Sequence, residues 1–150
     1  MASDENLVAA DNLAHNSFYI DEFIAKEITA GNIKKEVFTT NAKSIVLHGH
    51  CQQKAVSSLA DSVTVLSLPT NYTVQTIPSG CCGMAGSFGY EKEHYDVSMK
   101  IGELVLFPSV RKNASTCTVA APGTSCRHQI KDGTGEKALH PVEILFDALL

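Results

Sequence analysis

The chain has 150 residues and a net charge of −4 with a pI near 5.8. That length supports one domain with a hydrophobic core, and the scattered basic residues exclude the stripe that a nucleic-acid binder presents. No apolar run approaches the ~18 residues of a membrane span, and the start, with Asp4 and Glu5 and no apolar run behind them, predicts no secretory leader.

Residues 1 to 14 are polar and rich in Ala and Asn. They read as loosely ordered, so that 1–16 is a flexible start and 17–150 a single domain. A helix is expected from a Ser17 cap to about Thr29, because Ile20, Phe23, Ile24 and Ile28 share one face. Residues 32 to 43 read as a polar connection. Ser44 to Leu47 is a short buried strand running into His48-Gly49-His50-Cys51. The next helix carries Ala55, Val56, Leu59 and Val63, and residues 63 to 68 read as an edge strand or a connection.

Thr73 to Ile77 is the second strand, closed by Pro78, and it leads into Gly80-Cys81-Cys82-Gly83. From about Glu91 to Phe107 the helical period is strong, with Val97, Ile101, Leu104 and Val105 on the apolar face. Thr116 to Ala121 is the third strand and leads into Gly123-Thr124-Ser125-Cys126. A short helix over Arg127 to Lys131, a turn at Asp132-Gly133-Thr134-Gly135, a possible fourth strand at Lys137 to Leu139 and a last helix from Val142 complete the chain. Strand, loop and helix repeated in this way predict an α/β domain. It has three layers and a mainly parallel sheet of about four strands joined by right-handed crossovers.

Five cysteines are too few for a disulfide scaffold and odd in number, which favours free thiols, a metal or catalysis. Four of them follow strands: Cys51 the first, Cys81 and Cys82 the second, Cys126 the third. Ligands of open parallel sheets bind at the carboxyl ends of the strands, so this fold gathers those four thiols along one sheet edge. Cys81 and Cys82 are too close along the backbone for an easy mutual disulfide. Four thiolates suit tetrahedral zinc or an iron–sulfur cluster. Gly83, Gly86 and their neighbours let the backbone approach such a centre with its N–H groups.

Cys117, mid-strand, reads as a packed thiol. His50 beside Cys51 reads as a ligand or the support of one. His48 reads equally as a core histidine, and His128 as solvent-facing. His140 either caps the last helix or donates to a sulfur. The Gly83-x-x-Gly86-x-x-Gly89 spacing is not that of a dinucleotide loop. A Cys51–His50 nucleophile pair would explain only one of the cysteines.

Four stretches carry a family resemblance: His-Gly-His-Cys at 48–51, Cys-Cys-Gly-Met-Ala-Gly-Ser-Phe-Gly-Tyr at 81–90, Gly-Thr-Ser-Cys-Arg-His-Gln-Ile at 123–130 and His-Pro-Val-Glu at 140–143. Across about residues 44 to 148 they resemble the cysteine-rich CCG domain. That domain occurs in a subunit of heterodisulfide reductase, in iron–sulfur subunits of glycolate oxidase and anaerobic glycerol-3-phosphate dehydrogenase, and in fused FAD-linked 2-hydroxy-acid dehydrogenases of the D-lactate/glycolate type.

The resemblance implies a non-autonomous electron-transfer domain of an oxidoreductase, excised or separately encoded. A 4Fe-4S cluster or zinc would sit on Cys51, Cys81, Cys82 and Cys126, supported by His50, Gly83, Gly86 and His140. It implies FAD and ferredoxin-type clusters on other domains or subunits of the same dehydrogenase. It also implies a cytoplasmic location, with any membrane attachment peripheral and through the parent complex. Gly123 stands where the family has a further cysteine, which leaves four matched thiols rather than five. Two other readings of the same residues stay open: a zinc-stabilised interaction domain without redox chemistry, docking to partner subunits, and metal-free thiol–disulfide chemistry at Cys81 and Cys82.

Overall fold

The structure, a computed structural model, describes residues 4 to 150. Its centre is a four-stranded, all-parallel sheet in the order β2-β1-β3-β4, built from β1 (Lys43–Leu47), β2 (Tyr72–Thr76), β3 (Thr118–Ala120) and β4 (Ala138–Leu139). Leu47 pairs with Thr76 on one side and Ala120 on the other, and Ala120 pairs with Leu139. All four carboxyl ends are therefore level, and the loops that leave them share one edge. The chain leaves β1 first for β2 and later returns to β3 on β1's other side. The β1–β3 boundary is thus the point where the crossovers part, the place at which the ligand crevice of an open parallel sheet lies.

Strand side chains alternate between faces. Val46 and Val119 face a layer formed by α5 (Tyr95–Leu104), α6 (Leu106–Asn113) and α7 (Thr124–Thr134), meeting Leu106, Phe107, Val110 and Ile130. Ile45, Leu47 and Ala120 face the other layer, of α2 (Ile20–Thr29), α4 (Leu59–Leu66) and α8 (Pro141–Phe146), meeting Ala25, Val65, Leu66 and Ile144. This is the three-layer parallel architecture that the strand–helix period predicts.

The elements depart from the sequence reading in places, each for a local reason. The stretch expected to be loosely ordered is helical over α1 (Asp4–His15), with Leu7, Val8 and Leu13 exposed; residues 1 to 3 lie outside the described residues. Ser17 closes this helix by donating to the Leu13 carbonyl at 2.8 Å. It does not cap the next one. The α2 start is set at Tyr19, whose backbone N–H donates to Glu22 Oε2 at 3.1 Å. The 32–43 connection is not wholly polar, since Phe38 is buried and bridges Leu149.

The helix after β1 is two helices, α3 (Cys51–Val56) and α4. Ser57 leaves the helical region and Ser58 caps α4 by accepting from the Ala60 N–H at 3.1 Å. Residues 63 to 66 consequently end a helix rather than form an edge strand. The 91–107 helix breaks at Val105. The ring of Pro108 would clash with the Leu104 carbonyl four residues back, and Pro108 has no N–H to give it. By contrast α7 runs on through the expected 132–135 turn and stops at the left-handed Gly135. Among the described residues no helix is long and apolar enough to cross a membrane.

Candidate metal centre

The three crossovers bring the loop cysteines to the crevice by different local means. Cys51 is the first residue of α3, four residues beyond the β1 end. Cys126 is the third residue of α7, inside its first turn. Cys81 and Cys82 lie in the loop after β2, shaped by positive φ at Gly83, Ala85 and Gly86.

Gly83, at φ +105°, turns its N–H onto Cys81 Sγ at 3.3 Å. A side chain there would run into the Ser98 carbonyl and lie 2.9 Å from Gln129 Nε2. That amide is itself spent on Ser98, at 3.1 Å to the carbonyl and 2.9 Å to the hydroxyl.

Cys82 and Cys126 are buried at the crevice, with a ring nitrogen of His48 and both sulfurs all within 4.8 Å of one another. Cys51 is exposed and Cys81 half-buried. These two interact with each other, and Cys126 feels the charge of both as well as of Cys82. The four loop thiols therefore form one electrostatic group made of two pairs, an inner Cys82–Cys126 pair and an outer Cys51–Cys81 pair.

The inner pair is polarised. Cys82 is pulled down to about 4, first by the hydrogen bond from Cys126, then by His48 beside it and the Met84 N–H, against the effect of burial. The same bond and burial push Cys126 up. Burial, followed by the neighbouring Cys81, raises Cys51. Cys82 is thus the sulfur biased toward thiolate and Cys126 the one biased toward thiol.

His48 is fully buried. Its Nδ1 is 2.6 Å from Ser79 Oγ, while its Nε2 is buried without a partner at good hydrogen-bond geometry. An unpaired buried nitrogen of this kind costs about 1–3 kcal/mol. Strand parity was the signal for His48. It lies two residues beyond Val46, on the face that also carries Cys82 and Cys126.

Lys54 and Gln53 fix α3 in place. Lys54 Nζ donates to the Ser79 and Gly80 carbonyls at 2.9 and 3.1 Å, directly before Cys81. Gln53 Nε2 donates to Asp21 at 3.1 Å and to Ser62 at 3.0 Å, and Ser62 is hydrogen-bonded to Asp21.

The remaining sequence candidates lie further out. His50 stands at the N-cap position of α3 without a side-chain cap hydrogen bond, and its ring packs over Gly123: a Cβ there would lie 2.7 Å from His50 Cδ2 and 3.0 Å from Cys126 Sγ. Gly86 borders open space. Of the two roles left open for His140, the structure assigns the cap: Nδ1 accepts from the Val142 N–H at 3.1 Å, and the His140 N–H donates to Glu143 at 2.7 Å. Tyr90 OH pairs with exposed His128 Nδ1 at 2.8 Å.

Burial, then the charge of Arg127, lowers the pKa of His140. The neutral ring is therefore favoured in the fold, and its contribution is present above the unfolded value of about 6.5 and lost as pH falls through the folded one. His140→Ala is expected to cost about 1 kcal/mol at pH 8, less in acid, with metal content unchanged. Urea unfolding across pH and metal analysis check both halves.

The residues present fit a metal. A tetrahedral ion with Zn–S bonds of ~2.3 Å sets its ligand atoms about 3.8 Å apart, within the span of the inner group, and the unpaired imidazole nitrogen is the atom such an ion would satisfy.

No family model matches the chain, and no solved structure matches it. Among curated proteins it is similar to D-2-hydroxyglutarate dehydrogenase of Escherichia coli strain K12, 27% identical over 84% of this chain and 12% of that protein. It is also similar to one subunit of the anaerobic glycerol-3-phosphate dehydrogenase of the same strain, 29% identical over 70% of this chain and 26% of that relative. A third match is D-2-hydroxyglutarate dehydrogenase of Haemophilus influenzae, 37% identical over 47% of the chain. The chain thus spans between about an eighth and a quarter of the first two, and what it is similar to is a part of dehydrogenases.

Proposed function

We propose that the chain is a cysteine-rich CCG-type electron-transfer domain of a flavin-linked 2-hydroxy-acid dehydrogenase, formed by residues 17–150 and holding a 4Fe-4S cluster on Cys51, Cys81, Cys82 and Cys126. The observation that carries this reading is that three separate crossovers bring those four thiols to one edge of the sheet, where Cys82 and Cys126 lie with His48 within 4.8 Å of one another. Dehydrogenase relatives support it. When bound, the centre would supply one-electron transfer. The chain's own contribution is to exclude water around the inner pair, to aim the Gly83 N–H at Cys81 sulfur, and to hold the outer pair together through Lys54. Electrons would come from FAD on another domain or subunit and leave through ferredoxin-type partners. The setting is cytoplasmic, with membrane contact only through those partners.

One observation favours a second reading. The His48, Cys82 and Cys126 donor atoms are close enough for a single ion, as a zinc-stabilised docking domain would require. Purification without oxygen, followed by a visible spectrum and iron and zinc analysis, separates the two. A brown protein with iron near cluster stoichiometry is the expected result. A colourless protein with about one zinc would replace electron transfer by the structural role. A protein with neither metal would overturn both.

A further inference from the structure

We infer that His48 is itself a ligand of the centre, bonding through Nε2, so that the donor set is mixed nitrogen and sulfur rather than thiolate alone. The inference rests on the metal-centre reading above and adds an atom to it. Four observations lead to it. The imidazole is fully buried, and one of its nitrogens lies within 4.8 Å of both inner sulfurs. Nε2 has no hydrogen-bond partner although it is shielded from water, and burial without a partner is unusual for a polar atom unless something absent from the protein chain completes it. The other nitrogen is already committed, at 2.6 Å from Ser79 Oγ. Tying one imidazole nitrogen to a polar neighbour is how proteins aim the other at a metal. Finally, His48 lies two residues beyond Val46, which packs in the same cluster as Cys82 and Cys126, so strand alternation continued past β1 gives it that face.

Ser79 is then the positioning residue. Its hydroxyl meets the imidazole of His48, and its carbonyl accepts from Lys54 Nζ at 2.9 Å. Lys54 lies on the helix that Cys51 begins. One residue therefore sets both the ring that faces the inner pair and the helix that carries an outer thiol. With Nδ1–H donating to Ser79 Oγ, Nε2 is left as a lone pair, the form a cation requires. A neutral imidazole adds a donor without adding negative charge and suits borderline ions such as zinc and iron.

The test uses the full chain with ¹⁵N-labelled histidine, stripped and reloaded with ¹¹³Cd²⁺ without oxygen. The expected result is a one-bond ¹¹³Cd–¹⁵N coupling to a single imidazole nitrogen. It should be absent in His48→Gln and retained in His50→Gln. Ser79→Ala should weaken cadmium binding by about 10–100-fold, as loss of a group supporting a ligand does, while keeping the coupling. Cadmium bound with no nitrogen coupling, or with coupling to His50, would overturn the assignment of His48 and leave the thiolate centre standing. Failure of the wild-type chain to bind cadmium would overturn the centre itself. If His48→Gln does not fold, the coupling retained in His50→Gln supports the assignment and its loss there overturns it.

Discussion

Replacing Cys126 with serine is expected to empty the centre. Cys126 is 1% exposed and its sulfur sits against Cys82, in the first turn of α7. A hydroxyl there is a shorter, harder donor that does not ionise near neutral pH, so one corner of the donor set is lost outright. Affinity should fall by more than the about 10–100-fold that follows from losing a group that merely supports a ligand. Metal analysis of protein prepared without oxygen reads the change directly. Cys82→Ser should behave the same way. Cys117→Ser is the control and should keep full occupancy, because Cys117 lies before β3 rather than beyond its carboxyl end. Full occupancy in both Cys126→Ser and Cys82→Ser would remove the basis for the centre.

The second large effect lies in the backbone. Gly83→Ala is expected to destabilise the protein by about 2–6 kcal/mol: about 1–3 for holding a side chain at φ +105° and about 1–3 for forcing it into a packed wall. The wall here is the Ser98 carbonyl in α5, which cannot swing aside as a side-chain tip would. Gly86→Ala is the matched comparison. Its φ is +73°, but nothing lies within 4 Å of the added atom, so only the conformational cost of about 1 kcal/mol remains. Urea unfolding of the two variants, side by side, separates close approach from backbone strain. Equal losses at both positions would mean that the wall at Ser98 gives way.

Much of this fold is legible in the order of the residues, because short apolar runs ending in glycine-rich loops and followed by helical periods leave little choice of architecture. The level carboxyl ends of β1, β2 and β3, and the arrival there of Cys51, Cys81, Cys82 and Cys126, follow from that pattern alone. Helix ends were harder to read. The break at Val105 is encoded by Pro108, three residues on, and the split between α3 and α4 by the Ser57-Ser58 pair; both are local signals that a continuous apolar stripe outweighs on first reading. In α1 the Asn and Asp content hid good helix formers such as Ala9, Ala10 and Ala14.

His48 was recoverable from parity, counted forward from Val46. The support around it was not. Lys54 finds backbone carbonyls 25 and 26 residues away, and Ser79 meets His48 from 31 residues away. Such partners exist only once β1 and β2 lie side by side, and nothing in their sequence neighbourhoods marks them. The buried Asp21–Ser62–Gln53 group is hidden for the same reason.

The crossover order also sets a sequence of events in time. Cys51, Cys81 and Cys82 precede Cys126 in the chain and can meet as soon as β1 and β2 pair, but Cys126 arrives only when β3 has docked on the opposite flank of β1. Until then the inner pair lacks one of its two sulfurs, while the outer pair is already complete. Long-range parallel pairing is the slow step in forming such a sheet, so the inner pair is completed late, gated by the docking of the third strand.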